Sequence, residues 1–137
     1  MDVASHLQPP EVNLLAAWIG ILAGLLSGAA LGLRFHESDW LGGYASHRRR
    51  LYRLAHISLF GLALLNALCF FTVRLALTMT PALAVAGWGF VVGAVTMPVS
   101  CVLLAHRPHW PPVLVFAVPV GSLFVAGVVL AGKVAGL

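Results

Sequence analysis

Hydrophobic residues in this chain fall into four long blocks and do not follow the periodicity of an amphipathic helix or strand. The blocks cover residues 12–33, 54–73, 81–105 and 112–130. About 20 mostly apolar residues suffice to cross the hydrocarbon core of a bilayer as a helix. No block alternates polar and apolar residues as a membrane barrel strand does. The pattern predicts an all-α membrane protein, with four transmembrane helices forming one antiparallel up-down bundle over residues 1–137.

The composition agrees with this pattern. Of the 137 residues, 61% are hydrophobic and only 9% are charged, whereas soluble domains carry roughly a quarter charged residues. The first eleven residues contain Asp2 and Glu11 but no Lys or Arg, so they do not read as a cleaved signal peptide. Any chemistry is therefore expected within the membrane or at its edge.

Positive charge is distributed unequally between the two sides of the predicted bundle. Lys and Arg in short loops stay on the cytoplasmic side. The loops 34–53 and 106–111 share one side, and only Arg74 and Lys133 lie on the other. We therefore expect both termini to be periplasmic or exterior, in an inner (cytoplasmic) membrane of bacterial type. The arginines of the first side are Arg34, Arg48, Arg49, Arg50, Arg53 and Arg107.

A row of glycines recurs every fourth residue in the first span. Residues four apart share one helix face, and glycines let membrane helices approach closely. The row predicts close packing of this span, either on a helix of its own chain, which we favour, or on another subunit. Gly89 and Gly93 in the third span are the expected internal partner, and Asn66 in the second span is an expected interhelical hydrogen-bond donor. The row consists of Gly20, Gly24, Gly28 and Gly32.

Five of the six histidines fall near the predicted cytoplasmic level. Histidine is a common ligand of haem iron and of metals, and a haem between helices needs ligands at matched depth. His56 and His106 form the best pair for haem b, with His36 in reserve. The alternative is that the loop histidines are solvated and that His56 bonds a neighbouring carbonyl. The five are His36, His47, His56, His106 and His109.

Two further features lie near the same level. Arg49 and Arg53 precede His56 at helical spacing, and such a basic stripe could contact haem propionates, lipid headgroups or a partner's carboxylates. Pro98 and Pro119 should kink their helices. These kinks either open a cavity or serve packing only, and nearby hydroxyls could bond the freed carbonyls. The hydroxyl residues are Thr96, Ser100 and Ser122.

The chain lacks the common catalytic motifs. It has no phosphate-binding glycine loop, nucleophile elbow or His-Glu-x-x-His, and no catalytic residue is assigned. Cys69 and Cys101 are expected to pack as buried thiols. The arginine cluster is explained by membrane topology, so nucleic acid is not an expected partner. The expected partners are the bilayer and, through the first span, other membrane subunits.

Two functions remain. The favoured one is a structural or assembly accessory subunit of a larger, energy-transducing membrane complex. The alternative is a haem-b or metal-binding membrane redox protein that uses the histidines at the cytoplasmic helix ends. An enzyme is the less favoured class.

The charge distribution predicts the outcome of a topology experiment. A reporter that is active only outside the cytoplasm should be active when fused after Leu137, because the six-to-two arginine and lysine bias places that end outside. The same reporter inserted after Gly43 should be silent. The opposite pattern would invert the orientation.

Overall fold

The structure is a computed structural model that describes residues 8–137, so Asp2 lies outside the described part. It contains four long helices and one 3-10 turn, Trp40–Gly42. All four helices are long and apolar enough to cross a membrane. The prediction of an all-α, four-span membrane protein is confirmed. The helices are α1 (Glu11–Leu33), α2 (His47–Ala76), α3 (Pro81–His106) and α4 (Pro112–Val134).

Helix α2 begins seven residues before the predicted span, because its start is set by a cap and not by hydrophobicity. The Ser46 side chain accepts a hydrogen bond from the backbone N–H of Arg49 at 3.1 Å, which satisfies a free donor of the first turn. The arginines of the sequence 48–53 are therefore helical. A hydropathy pattern marks the part of a helix that suits lipid, not where the helix ends.

The helices pack in chain order, and α3 is central. It contacts α2 and α4 extensively and α1 along a narrower seam. One core cluster joins Cys69 and Val73 of α2 to Phe90 of α3 and Ala126 of α4. Because α4 packs on α3 and not on α1, the seam between α1 and α3 is open on one side.

The glycine row of α1 faces α2 of the same chain. A Cβ placed on Gly20 would lie 3.0 Å from the Ala63 Cβ, and one on Gly24 would lie 2.8 Å from the Phe60 ring. The expected pairing with the glycines of α3 is wrong. Gly89 and Gly93 instead face Ser122, Leu123 and Ala126 of α4. Helices α1 and α4 pack on different faces of α3, and these glycines lie on the face that contacts α4.

Two asparagines tie three helices together at the end of the bundle opposite loop 34–46. Asn13 of α1 donates to the Asn66 Oδ1 of α2 and to the Gly87 carbonyl of α3, both at 2.8 Å. Asn66 donates to the Leu62 and Phe90 carbonyls at 2.9 and 3.2 Å. Both side chains are fully buried, so these bonds fix the relative positions of α1, α2 and α3.

The two helix prolines have different surroundings. Pro119 removes the donor that would bond the Val115 carbonyl, and Ser100 of α3 donates to that carbonyl at 2.9 Å. Thr96 and Ser122 bond carbonyls of their own helices. Pro119 is buried, whereas Pro98 lines a cavity.

The glycine contacts predict opposite effects of two equivalent substitutions in α1. Gly20→Ala should lower stability by about 1 kcal/mol, since the new methyl meets the Ala63 Cβ and the Leu59 carbonyl at 3.0 and 3.2 Å in a close-packed interface. Gly32→Ala should be neutral or stabilising, because no heavy atom of the described chain lies within 4 Å of the new methyl and alanine favours helix. Unfolding in detergent measures both. Equal effects would contradict the assigned interface.

Candidate ligand groove

Two cavities meet along the seam between α1 and α3. The larger has a volume of about 630 Å³ and the smaller about 290 Å³. Leu59 and Pro98 line both, so the cavities are neighbours along this seam, and the pair is here called the seam groove. The larger part, the wide lobe, is lined by Ser27, Ala30, Leu31, Arg34, Trp40, Tyr52, Ala55, His56, Leu59, Pro98, Val99, Val102 and Leu103. The smaller part, the narrow lobe, is lined by Val12, Leu15, Ala16, Ile19, Gly20, Ala23, Leu59, Ala63, Val91, Ala94, Val95 and Pro98.

Both lobes have mostly apolar walls, but all polar residues of the lining belong to the wide lobe. Arg34, Trp40 and Tyr52 lie at the end nearest loop 34–46, and the narrow lobe has only apolar lining residues. Ser27 precedes Arg34 by seven residues of helix, or about 10 Å of axial rise. Ser27 and its partner His56 therefore lie deeper than the arginine and form an isolated polar pair within an apolar wall.

The Ser27–His56 contact fixes the orientation of the imidazole. Ser27 Oγ lies 2.9 Å from both the Gly24 carbonyl and the Nδ1 of His56. The hydroxyl can donate either to that carbonyl or to Nδ1 of His56, so the direction of the serine–histidine bond depends on which ring nitrogen carries the proton. The other ring nitrogen is Nε2. That atom makes no hydrogen bond to the residues described, 8–137.

Gly28 of α1 leaves room for the imidazole ring of His56. A Cβ on Gly28 would lie 2.8 Å from the His56 Cε1, so the ring occupies the space that a side chain would fill. The Phe60 ring, one turn further along α2, packs edge-on against His56 with centroids 5.4 Å apart. The glycine row of α1 is therefore what brings His56 against Ser27.

His106 lies in different surroundings. Arg48 can only donate, and its Nη2 lies 3.2 Å from the His106 Nδ1, so Nδ1 accepts. The Nε2 atom of neutral His106 is then protonated and donates to the Tyr52 hydroxyl at 2.7 Å. In this arrangement neither nitrogen offers a free lone pair, and His106 is not part of the groove lining. His36, His47 and His109 are exposed and also lie outside that lining.

The predicted basic stripe, Arg49 and Arg53, contacts the aromatic residues of loop 34–46. The guanidinium of Arg49 lies 5.3–5.8 Å from the ring centroids of Phe35, Trp40 and Tyr44, and the residue is only 4% exposed. Arg53 lies 4.6 Å from the Tyr44 ring and donates to its carbonyl. These cation–π contacts fold loop 34–46 over the end of α2, so that Trp40 reaches the groove.

Two ion pairs form among residues 8–137. Arg34 forms an ion pair with Glu37 at 2.8 Å, and Arg74 pairs with Glu11 between α2 and α1. Within residues 8–137 no group of three histidine, cysteine, aspartate or glutamate side chains is placed to hold a metal ion.

Sequence reasoning singled out His56 but missed Ser27, Trp40 and Tyr52 as parts of one site. Ser27 was detectable, since it is the only hydroxyl residue of α1 and directly precedes Gly28. Trp40 and Tyr52 were not detectable as groove residues, because their positions depend on how loop 34–46 folds around Arg49.

No family model, curated protein or solved structure matches this chain.

Proposed function

We propose that this chain is an accessory subunit of a larger membrane complex and holds an amphipathic molecule of the bilayer in the seam groove. One observation carries this proposal: the polar residues of the largely apolar lining, among them Arg34 and His56, belong to the wide lobe, and the narrow lobe is lined by apolar residues as far as Val12. A molecule with a small polar head and a hydrocarbon tail matches that distribution.

The size of the groove supports such an occupant. The wide lobe lies within the roughly 300–1,000 Å³ range of small-molecule sites. From Arg34 to Val12 the helix α1 rises about 33 Å, close to the roughly 30 Å thickness of a hydrocarbon core. A long tail could therefore follow the groove across most of the membrane, with the head near the arginine-rich loops that the charge bias assigns to the cytoplasmic side of an inner membrane.

The open side of the bundle supports the accessory role. Helix α1 packs on α2 and along the seam, and much of its outer face, including Trp18, Leu22 and Leu26, is exposed and apolar. In the membrane that face contacts lipid or a neighbouring subunit. A subunit that packed there would enclose the groove and its occupant.

A second candidate, haem b binding, is favoured by His56 alone. Its Nε2 atom has no hydrogen-bond partner among the described residues, and its Nδ1 atom contacts Ser27 at 2.9 Å, as the second nitrogen of an axial histidine usually contacts a nearby polar group. Arg34, which lines the same lobe closer to loop 34–46, could contact a haem propionate. His56 would be the protein ligand in this candidate, since both ring nitrogens of His106 already have hydrogen-bond partners in Arg48 and Tyr52.

Filling the wide lobe should displace the amphipathic molecule. Ala30 lines the wide lobe and Ala29 does not, and both are exposed, so Phe at either position is compatible with folding. After purification in mild detergent, extraction and mass spectrometry should find one amphipathic species retained by the unmodified protein and by Ala29→Phe. Ala30→Phe should retain about tenfold less. Equal retention in the two variants would contradict the proposal.

The haem candidate has its own spectroscopic test. If it holds, the purified protein, alone or after addition of haemin, shows reduced-minus-oxidised haem bands that His56→Ala removes and His106→Ala keeps. Absence of haem bands in the unmodified protein would eliminate this candidate and leave the first one standing.

A further inference from the structure

We propose that the ion pair of Glu11 and Arg74, at the end of the bundle opposite loop 34–46, binds the headgroup of a zwitterionic phospholipid that carries a primary ammonium. The guanidinium of Arg74 donates hydrogen bonds to the phosphate, and the carboxylate of Glu11 accepts one from the ammonium. Neither residue lines the seam groove, so this inference does not depend on the function proposed for that groove.

The site is a cavity of about 410 Å³ between α1 and α2. Glu11 is the first residue of α1 and Arg74 lies in the last turn of α2, so both charged groups border the apolar blocks 12–33 and 54–73. That boundary is the level of lipid headgroups. Trp18 is 60% exposed and the Arg74 side chain 57% exposed, so the cavity opens towards the surrounding lipid. Its lining consists of Glu11, Leu14, Leu15, Trp18, Phe70 and Arg74.

Helical spacing places charge at one end of this cavity and apolar side chains below it. Leu15 and Trp18 follow Glu11 by four and seven residues, and Phe70 precedes Arg74 by four, so each set shares one helix face. From Glu11 to Trp18 helix α1 rises about 10 Å. A phospholipid has the same order, with its charges in the headgroup and its acyl chains beneath them.

The two charges match a zwitterion better than an anion. Arg74 donates through Nη2 to Oε1 of Glu11, and within residues 8–137 neither side chain has another ion-pair partner. A guanidinium has five N–H donors and a carboxylate has two acceptor oxygens, so both groups keep atoms for a ligand. Arginine binds phosphate through parallel hydrogen bonds. A headgroup with negative charge alone would be repelled by the Glu11 carboxylate, whereas an ammonium next to the phosphate is attracted to it.

The acceptor atoms of Glu11 select a primary ammonium. Such a group has N–H donors for the carboxylate, and it can also lie against the exposed ring of Trp18. A quaternary ammonium has no N–H and cannot donate to Glu11. Phosphatidylethanolamine has the matching headgroup, phosphatidylcholine lacks the donor, and phosphatidylglycerol lacks the positive charge.

A competition between these three lipids tests the assignment. The full-length protein, stripped of lipid in mild detergent, is mixed with equal amounts of the three lipids with identical acyl chains, and native mass spectrometry counts the lipids that stay bound. We expect phosphatidylethanolamine to be retained about fivefold more than either competitor, the factor that roughly 1 kcal/mol from a partly exposed charge pair supplies. Equal retention of the three lipids would overturn the proposal.

Variants assign the preference to the two charges. Glu11→Gln should abolish the preference while lipid is still retained, and Arg74→Gln should lower retention of all three lipids about fivefold, because the phosphate loses its partner. The matched control Glu37→Gln removes the carboxylate of the other ion pair, at the far end of the bundle, and should keep the preference. Exposed ion pairs add little stability, so all three variants should fold, which their unfolding temperatures in detergent check. A full preference in Glu11→Gln would contradict the ammonium assignment.

Two further measurements locate the lipid. Leu14→Trp fills the cavity without changing the ion pair and should displace phosphatidylethanolamine, whereas normal retention would show that the cavity is not the site. Soluble glycerophosphoethanolamine in large excess should not displace the lipid, because it lacks the chains that contact Leu14, Leu15 and Phe70. Displacement by it would overturn the choice of a membrane lipid. Ala30→Phe in the seam groove should leave the preference unchanged, so failure of the proposed function and failure of this inference are distinguishable.

Discussion

The close approach of α1 to α2 is the contact on which the rest of the structure depends. It exists because Gly20, Gly24 and Gly28 present no side chains where Ala63, Phe60 and His56 lie. In lipid there is little hydrophobic gain from bringing two apolar helices together, so dispersion contacts between well-fitted surfaces carry association. The last glycine of the row, Gly32, does not take part in this interface, because a Cβ built on it would have no described atom within 4 Å. Beyond that point loop 34–46, not a helix interface, covers the end of α2.

Most buried polar side chains of residues 8–137 bond across a helix boundary or to a nearby carbonyl, and the Oδ1 of Asn13 is a buried atom without a hydrogen-bond partner there. Asn13 and Asn66 join α1, α2 and α3, and Ser100 bonds the carbonyl that Pro119 leaves free. These bonds lock helix positions in a setting without water. His56 also has an unbonded ring nitrogen. Its Nδ1 contacts Ser27, whereas its Nε2 has no hydrogen-bond partner among the described residues, and the residue lines the wide lobe.

The arginine cluster illustrates how one set of residues serves two physical purposes. As fixed positive charge, it biases the orientation of the chain in a membrane. As geometry, it organises the first loop: Arg49 is enclosed by three aromatic rings and is almost fully buried. The guanidinium of Arg49 is therefore engaged by aromatic rings and is not accessible to a ligand. Of the arginines that determine the predicted orientation, only Arg34 lines the groove.

The sequence by itself determined that the chain spans a membrane four times, because a block of 20 apolar residues has few other stable environments. It also indicated that α1 packs closely through its glycines and that His56 is unusual, since both follow from helical spacing and depth alone. Only the tertiary structure decided the partners. Gly89 and Gly93 face α4 instead of α1, His106 is taken up by Arg48 and Tyr52, and Ser27 reaches His56 across 29 residues of sequence. Which faces meet depends on the summed fit of whole helix surfaces, and that fit is not encoded in the spacing of any one helix.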